Sequence, residues 1–198
     1  LSLATLAFRE TSEDWLKKQD LAVTFLDRYG QLAGHRGIKH DDSVPLEQLP
    51  DYLVQAVLAT EDRRFFEHWG IDPIGTARAL SVNARSSGVV QGGSTITQQL
   101  AKNLLLSGER TLLRKGQEFV LTVALELLLS KQRILEIYLN HVEWGEGVFG
   151  AEAAAQHYYR KPAARLTAYE AARLAVMLPR PKYFEKVPNS GYLSSRAG

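Results

Sequence analysis

From Pro50 onward, apolar side chains recur at the spacing of an α-helix, and prolines, glycines and capping residues divide the pattern into short segments. Asp72-Pro73 is typical of a helix start, and Thr167 with Glu170 forms a capping box. The sequence therefore predicts a mainly α fold. We expect helices over these ranges: from after Pro50 to His68 with Gly70 as C-cap, Pro73 to Arg85, Ser94 as cap to about Leu106, Leu112 to Leu129, Lys131 to Asn140, Ala151 to Tyr159, and Thr167 to the prolines Pro179 and Pro181.

The first 45 residues lack the helical pattern that the chain has after Pro50. Residues 21–26 have β character, residues 27–30 form a turn pattern, and a short second strand follows. We interpret this part as a lead-in with a small β element, and residues 46–190 as the core. At 198 residues, 45% of them hydrophobic, the chain suits a single domain.

Cysteine content, apolar runs and charge exclude few classes of function. The chain has no cysteine and no apolar run of 18 residues, so we expect any membrane anchor to lie outside it. Residues 73–118 carry six basic and two acidic side chains, which favours an anionic partner. A solvated charged surface would give the same pattern, and charge alone does not separate the two.

Glu61 is the first candidate for chemistry. Helical spacing places it on the apolar face of Val54 and Leu58, while its neighbour Asp62 is expected to turn away. A poorly solvated carboxylate has a raised pKa, which suits proton transfer. The alternative is a structural carboxylate that pairs with Arg64 or His68.

The second candidate is the segment Gly92–Asn103, in which a glycine loop leads into a helix start. Such a start offers backbone N–H groups to an anion. Polar side chains nearby add donors: Ser94, Thr95, Gln98 and Lys102. The segment lacks the order of a nucleotide-binding phosphate loop, and a well-capped surface helix is the alternative.

Arg114, Lys115 and Glu118 form the third candidate, since they share one face of a helix. On spacing alone, a surface ion-pair cluster is the stronger interpretation. His68, His141 and His157 have neither metal-ligand spacing nor cysteine partners, so we interpret them as structural and expect no protein metal site.

Together these segments resemble glycosyltransferase family 51, the peptidoglycan glycosyltransferases, over about residues 45 to 190. Five blocks match in order: Glu61–Gly70; Gly92–Asn103; Arg114, Lys115 and Glu118 with Leu125-Glu126; Ile134–Asn140 with Gly145 and Gly150; and Leu166–Ala172. The stretch from Glu143 to Ala155 is most similar to the monofunctional biosynthetic transglycosylases. Class A penicillin-binding proteins carry the same domain.

The resemblance implies a lysozyme-like, bilobal helical domain with a small membrane-facing lobe. It also implies polymerisation of lipid II into β-1,4-linked glycan with inversion. Glu61 would be the general base, and Glu118 a second catalytic residue that positions the cations or holds a divalent ion. Further substrate-binding positions would be Asp62, Ser94, Thr95, Gln98, Gln99, Lys102, Asn103, Arg114 and Lys115.

The family also implies a place and partners. We expect action at the outer face of the bacterial cytoplasmic membrane, with an N-terminal transmembrane anchor absent from this chain. Partners would be lipid II, the growing glycan strand, the membrane surface and other cell-wall synthesis proteins, but not nucleic acid. The family implies no tightly bound cofactor, although Mg²⁺ or Mn²⁺ fits beside the substrate pyrophosphate.

Two rival functions remain open from the sequence. A muramidase or lytic transglycosylase of lysozyme-like fold also uses one helix-borne glutamate. A non-enzymatic module could use the basic middle segment to bind a membrane surface or nucleic acid.

The basic segment is flanked by the leucines Leu104, Leu105, Leu106, Leu112 and Leu113, some of which we expect to form an exposed apolar patch that enters the bilayer. The chain should therefore float with liposomes in the absence of detergent. Recovery of all the protein in the liposome-free fraction would contradict this prediction.

Overall fold

The computed structural model describes residues 22–26, 32–37, 39–40, 43–85, 92–104 and 112–198, with side chains for 43–84, 92–103 and 115–198. Helices dominate this part of the chain, so the predicted mainly α fold is confirmed, and it is consistent with a lysozyme-like helical domain. The α-helices are α1 Asp51–Glu61, α2 Pro73–Arg85, α3 Ile96–Leu104, α4 Leu112–Leu128, α5 Lys131–His141, α6 Ala151–Tyr159, α7 Ala168–Met177, α8 Pro181–Lys186 and α9 Gly191–Ala197.

The β element near the N-terminus is also confirmed. Strands β1 (Ala22–Leu26) and β2 (Leu32–Gly37) pair antiparallel. A second sheet joins the lead-in to the core: β3 (Lys39–His40) runs parallel to β5 (Val148–Phe149), which pairs antiparallel with β4 (Glu143–Gly145).

Helix α1 is shorter than the periodicity predicts. The expected continuation to His68 is wrong, because Asp62 leaves the helix with an extended φ of −157° and a 3₁₀ turn follows at Phe65–Glu67. Gly70 is therefore not the C-cap. Its φ of +77° favours glycine, and a Cβ there would lie 2.6 Å from Thr122 Cγ2.

Helix α3 is capped one residue later than predicted. The N–H of Gln98 donates to Thr95 Oγ1 at 3.1 Å, and the N–H of Thr95 donates to Gln98 Oε1 at 3.0 Å. This reciprocal pair is a capping box, so Thr95 and not Ser94 starts the helix. The capping box of Thr167 and Glu170 that opens α7 is confirmed. Pro181 ends no helix, because it lies at the start of α8.

Helix α5 lies at the centre of the core. Six of its eleven residues are buried: Ile134, Leu135, Ile137, Tyr138, Leu139 and Asn140. Helices α3, α4 and α6 all pack against it. Because α5 contacts so many neighbours, its side chains set the positions of residues that lie far apart in sequence.

Asn140 binds the lead-in to helix α5 through hydrogen bonds. Its side chain accepts from the N–H of Val44 and donates to the carbonyl of Val44, both at 2.9 Å, and it also donates to the carbonyl of Glu136. Only 3% of the surface of Asn140 is exposed. If the contact breaks, bulk water therefore does not replace the lost hydrogen-bond partners of the amide.

No described helix is long and apolar enough to cross a bilayer. The side chains of the leucines predicted to enter a membrane lie outside the described part of the chain. The membrane-facing small lobe stays a prediction.

We predict that Asn140→Ala lowers the free energy of unfolding by about 2–4 kcal/mol, because buried hydrogen-bonding groups on two segments lose their partner. Exposed Gln55 on α1 offers a control, and Gln55→Ala should stay within about 0.5 kcal/mol of the parent. Urea denaturation measures both. Equal stabilities of the two variants would contradict the role of Asn140.

Candidate active site

Glu61 is the last residue of α1 and lies half-buried at the wall of an open cleft. Burial raises the pKa of its carboxyl. A hydrogen bond from Gln99 lowers this pKa in part, and the neighbouring charge of Asp62 raises it further. The net direction is upward, which suits a group that accepts a proton and later releases it.

Gln99 of α3 orients this carboxylate. Its Nε2 donates to Glu61 Oε2 at 2.7 Å, while its Oε1 accepts from the hydroxyl of Tyr138 on α5 at 3.1 Å. Gln99 was predicted to bind the substrate. In the structure its amide is already held by Glu61 and Tyr138, so this predicted contact gains no support.

The pairing of Glu61 with Arg64 or His68, expected as the alternative, is not seen among the described residues. Arg64 pairs with Glu67 at 2.8 Å and with Asp72 at 3.1 Å, and His68 pairs with Asp62. Neither expected partner therefore contacts Glu61. The structural interpretation of His68 agrees with its burial and with its position against Asp62.

Asp62 turns into the protein. Its oxygens accept from His68 Nε2 at 2.9 and 3.1 Å and from the N–H of Ile96 at 3.1 Å, and only 6% of its surface is exposed. The carboxylate thus binds the start of α3, where backbone N–H groups lack helical partners. The predicted contact of Asp62 with substrate remains a prediction.

The start of α3 borders the cleft next to Glu61. Gly92, Gly93 and Ser94 are exposed there, and the hydroxyl of Thr95 donates to the carbonyl of Gly70 at 2.5 Å. Gln98 is occupied by the capping box. Of the predicted polar donors at this end of the helix, Ser94 is exposed, whereas Thr95 is buried.

The predicted cations lie on α3 and α4. Lys102 and Asn103 are exposed near the end of α3, and Lys115 is exposed on α4. Lys115 Nζ contacts buried Glu118 at 2.9 Å, the ion pair that their spacing predicts, and a catalytic role of Glu118 stays a prediction. The side chain of Arg114 lies outside the described part of the chain.

The cleft also contains residues that the sequence did not single out. These are Thr76 and Arg78, which lie in the wall beside Arg63 and Arg64 of the first matched block, and the hydroxyl of Thr76 donates to the carbonyl of Gly93 at 3.0 Å. No spacing rule links Arg78 on α2 to Glu61 on α1. Their proximity depends on how the helices pack, which local patterns do not encode.

One group of side chains has the composition of a metal site: Asp62, His68 and Asp72, whose ligand atoms lie within 4.8 Å of one another. The hydrogen bonds that these three side chains already make argue against metal binding. Asp62 accepts from His68 and from the N–H of Ile96, and Asp72 accepts from Arg64. A cation would have to displace these bonds, so the group fits a structural junction better.

Comparison with known proteins identifies the family. The family described as Transglycosylase matches residues 30–198. Three relatives carry the name biosynthetic peptidoglycan transglycosylase. The Bordetella pertussis protein is 48% identical over 96% of this chain and 78% of its own length. The Burkholderia pseudomallei protein is 56% identical over 78% of this chain and 60% of its own length. The Ralstonia nicotianae protein is 60% identical over 72% of this chain and 61% of its own length.

The chain spans about three-fifths to two-thirds of the length of several of these relatives. Their shared name is that of the monofunctional branch, so the predicted resemblance is confirmed. The family match covers most of the chain, including Glu61 and every other candidate residue. The chain belongs to the transglycosylase family.

Proposed function

We propose that this chain is a peptidoglycan glycosyltransferase that polymerises lipid II, with Glu61 as general base. The observation that carries this proposal is the half-buried Glu61 carboxylate, whose pKa is raised and which Gln99 holds at the cleft wall. A base with such a pKa accepts a proton near neutral pH more readily than an exposed glutamate does.

In the proposed reaction, Glu61 takes the proton of the acceptor's GlcNAc 4-hydroxyl. The oxygen then attacks C1 of the donor MurNAc, and the bond from C1 to the phosphate oxygen breaks. A single displacement inverts the α-linked donor to a β-1,4 product. Undecaprenyl pyrophosphate leaves with the electron pair of the broken bond.

The departing pyrophosphate gathers negative charge, and fixed cations lower the energy of that state. Lys102 and Lys115 are exposed cations on α3 and α4, and Glu118 holds Lys115. Arg114 precedes Lys115 on the same helix. A Mg²⁺ or Mn²⁺ ion at the pyrophosphate would supply further positive charge beside these residues.

The proposed setting is the outer face of the bacterial cytoplasmic membrane. Lipid II and the growing strand are both lipid-linked, so the proposed partners are those two substrates, the membrane surface and other cell-wall synthesis proteins. The names of the relatives support an envelope function. An N-terminal anchor beyond this chain belongs to the same proposal.

The main rival is a muramidase or lytic transglycosylase with one catalytic glutamate. Incubation with purified lipid II and, separately, with isolated sacculi distinguishes the two. We expect glycan polymer and released undecaprenyl pyrophosphate from lipid II, and no soluble fragments from sacculi. Fragments from sacculi without polymer from lipid II would contradict the proposed function.

We predict that Glu61→Gln lowers polymerisation at least about a hundredfold, because the general base is lost. Its stability should not fall. The raised pKa means that the protonated carboxyl favours the folded state, and this contribution is lost as pH rises through the folded-state pKa. At neutral pH the amide should therefore match or exceed the parent in Tm.

Glu47→Gln is the matched control, since Glu47 is an exposed glutamate in the 3₁₀ turn Leu46–Gln48. It should polymerise lipid II at the parent rate. A lipid II gel assay and thermal unfolding measure both variants. Full activity of Glu61→Gln would exclude the general-base role.

A further inference from the structure

Tyr138 was not among the predicted catalytic or substrate-binding residues, yet it lies one hydrogen bond away from the group that holds Glu61. Its ring is fully buried on α5, and its hydroxyl donates to Gln99 Oε1 at 3.1 Å. Gln99 in turn donates to Glu61 Oε2 at 2.7 Å. The chain of contacts thus links three helices: α5, α3 and α1.

The orientation of the Gln99 amide decides its effect on Glu61. With the NH₂ group toward the carboxylate, the amide stabilises the charged form. With the carbonyl toward it, the amide would repel the charge and favour protonated Glu61. The two orientations differ by a rotation of the amide, and a donor that occupies the carbonyl adds to the preference for the first.

Tyr138 supplies that donor. Burial raises the pKa of its hydroxyl well above 10, and the nearby charges of Glu61 and Asp62 act in the same direction. The phenol therefore keeps its proton throughout the physiological range. In the structure the hydroxyl donates to the amide carbonyl of Gln99, which leaves the NH₂ end for Glu61.

We propose that Tyr138 is a positioning residue for the general base, acting through Gln99. By holding the amide carbonyl, Tyr138 keeps the Gln99 NH₂ on Glu61 Oε2 and leaves Glu61 Oε1 to receive the substrate proton. This inference rests on the proposed function for its kinetic consequence, although the hydrogen-bond geometry stands independently of it.

Other charged groups line the same cleft as Glu61. Asp62 is adjacent in sequence, and the cleft wall adds Asp72, Arg63, Arg64 and Arg78. All of them are present in both the parent and a Tyr138 variant. A difference between those two proteins therefore reports the hydroxyl of Tyr138 and not the surrounding charge.

Tyr138→Phe removes the hydroxyl and keeps the ring. We expect kcat for lipid II polymerisation to fall about three- to tenfold, the effect of one net hydrogen bond, with KM changed less than about twofold. The pKa of the Glu61 carboxyl, followed by carbon NMR without substrate, should move upward. The acidic limb of the pH–rate profile should move in the same direction.

Tyr158→Phe is the matched control. This tyrosine donates to the backbone carbonyl of Trp144 at 3.0 Å, so its loss costs a hydrogen bond without touching Gln99. Its kcat and the titration of Glu61 should match those of the parent. If both tyrosine variants lower kcat equally and leave the Glu61 titration unchanged, Tyr138 is only structural and the proposal fails.

A double-mutant cycle with Gln99→Ala tests the route. Tyr138→Phe should have no further effect once Gln99 is alanine, because the link is already broken. Additive losses in kcat would overturn the proposal. If the parent does not polymerise lipid II, the proposed function fails, and the NMR titrations of the same variants still decide whether Tyr138 positions Glu61.

Discussion

The carboxylate of Asp62 joins three parts of the chain, and the geometry of the cleft depends on it. Asp62 follows the last residue of α1. Its carboxylate binds buried His68 and accepts from the N–H of Ile96 at the start of α3. A buried carboxylate with several donors is costly to disturb, because the loss of one partner leaves polar groups unpaired. This junction fixes the end of α1, and therefore Glu61, against the helix that carries Gln99.

The adjacent carboxylates of Asp62 and Glu61 thus have different roles. Asp62 is held by His68 and by the N–H of Ile96, whereas Glu61 keeps a raised pKa and a single described donor, Gln99. The charge on half-buried Glu61 costs folding free energy at neutral pH, a trade-off between stability and activity that is common at active sites. The capping box of Thr95 and Gln98 and the buried helix α5 supply the rigidity that holds this arrangement.

The sequence predicted what local patterns encode. Capping residues and helical spacing gave most helix positions, and Glu61 stood out as a carboxylate among apolar neighbours. The end of α1 was missed because Asp62 takes partners 6 and 34 residues away. The contacts from Gln99 to Glu61 and from Tyr138 to Gln99 span 38 and 39 residues, so no spacing rule could find them. Arg78 enters the cleft wall for the same reason.

We infer that Glu61, with a pKa raised by burial, is the base whose protonation stops the reaction. The most direct measurement compares two titrations of the same protein: the Glu61 carboxyl carbon by NMR, and the acidic limb of kcat/KM for lipid II polymerisation. We predict that both follow one pKa, above the ordinary value of 4.5. A Glu61 carboxyl that titrates at or below that value, or a limb that follows a different group, would contradict it.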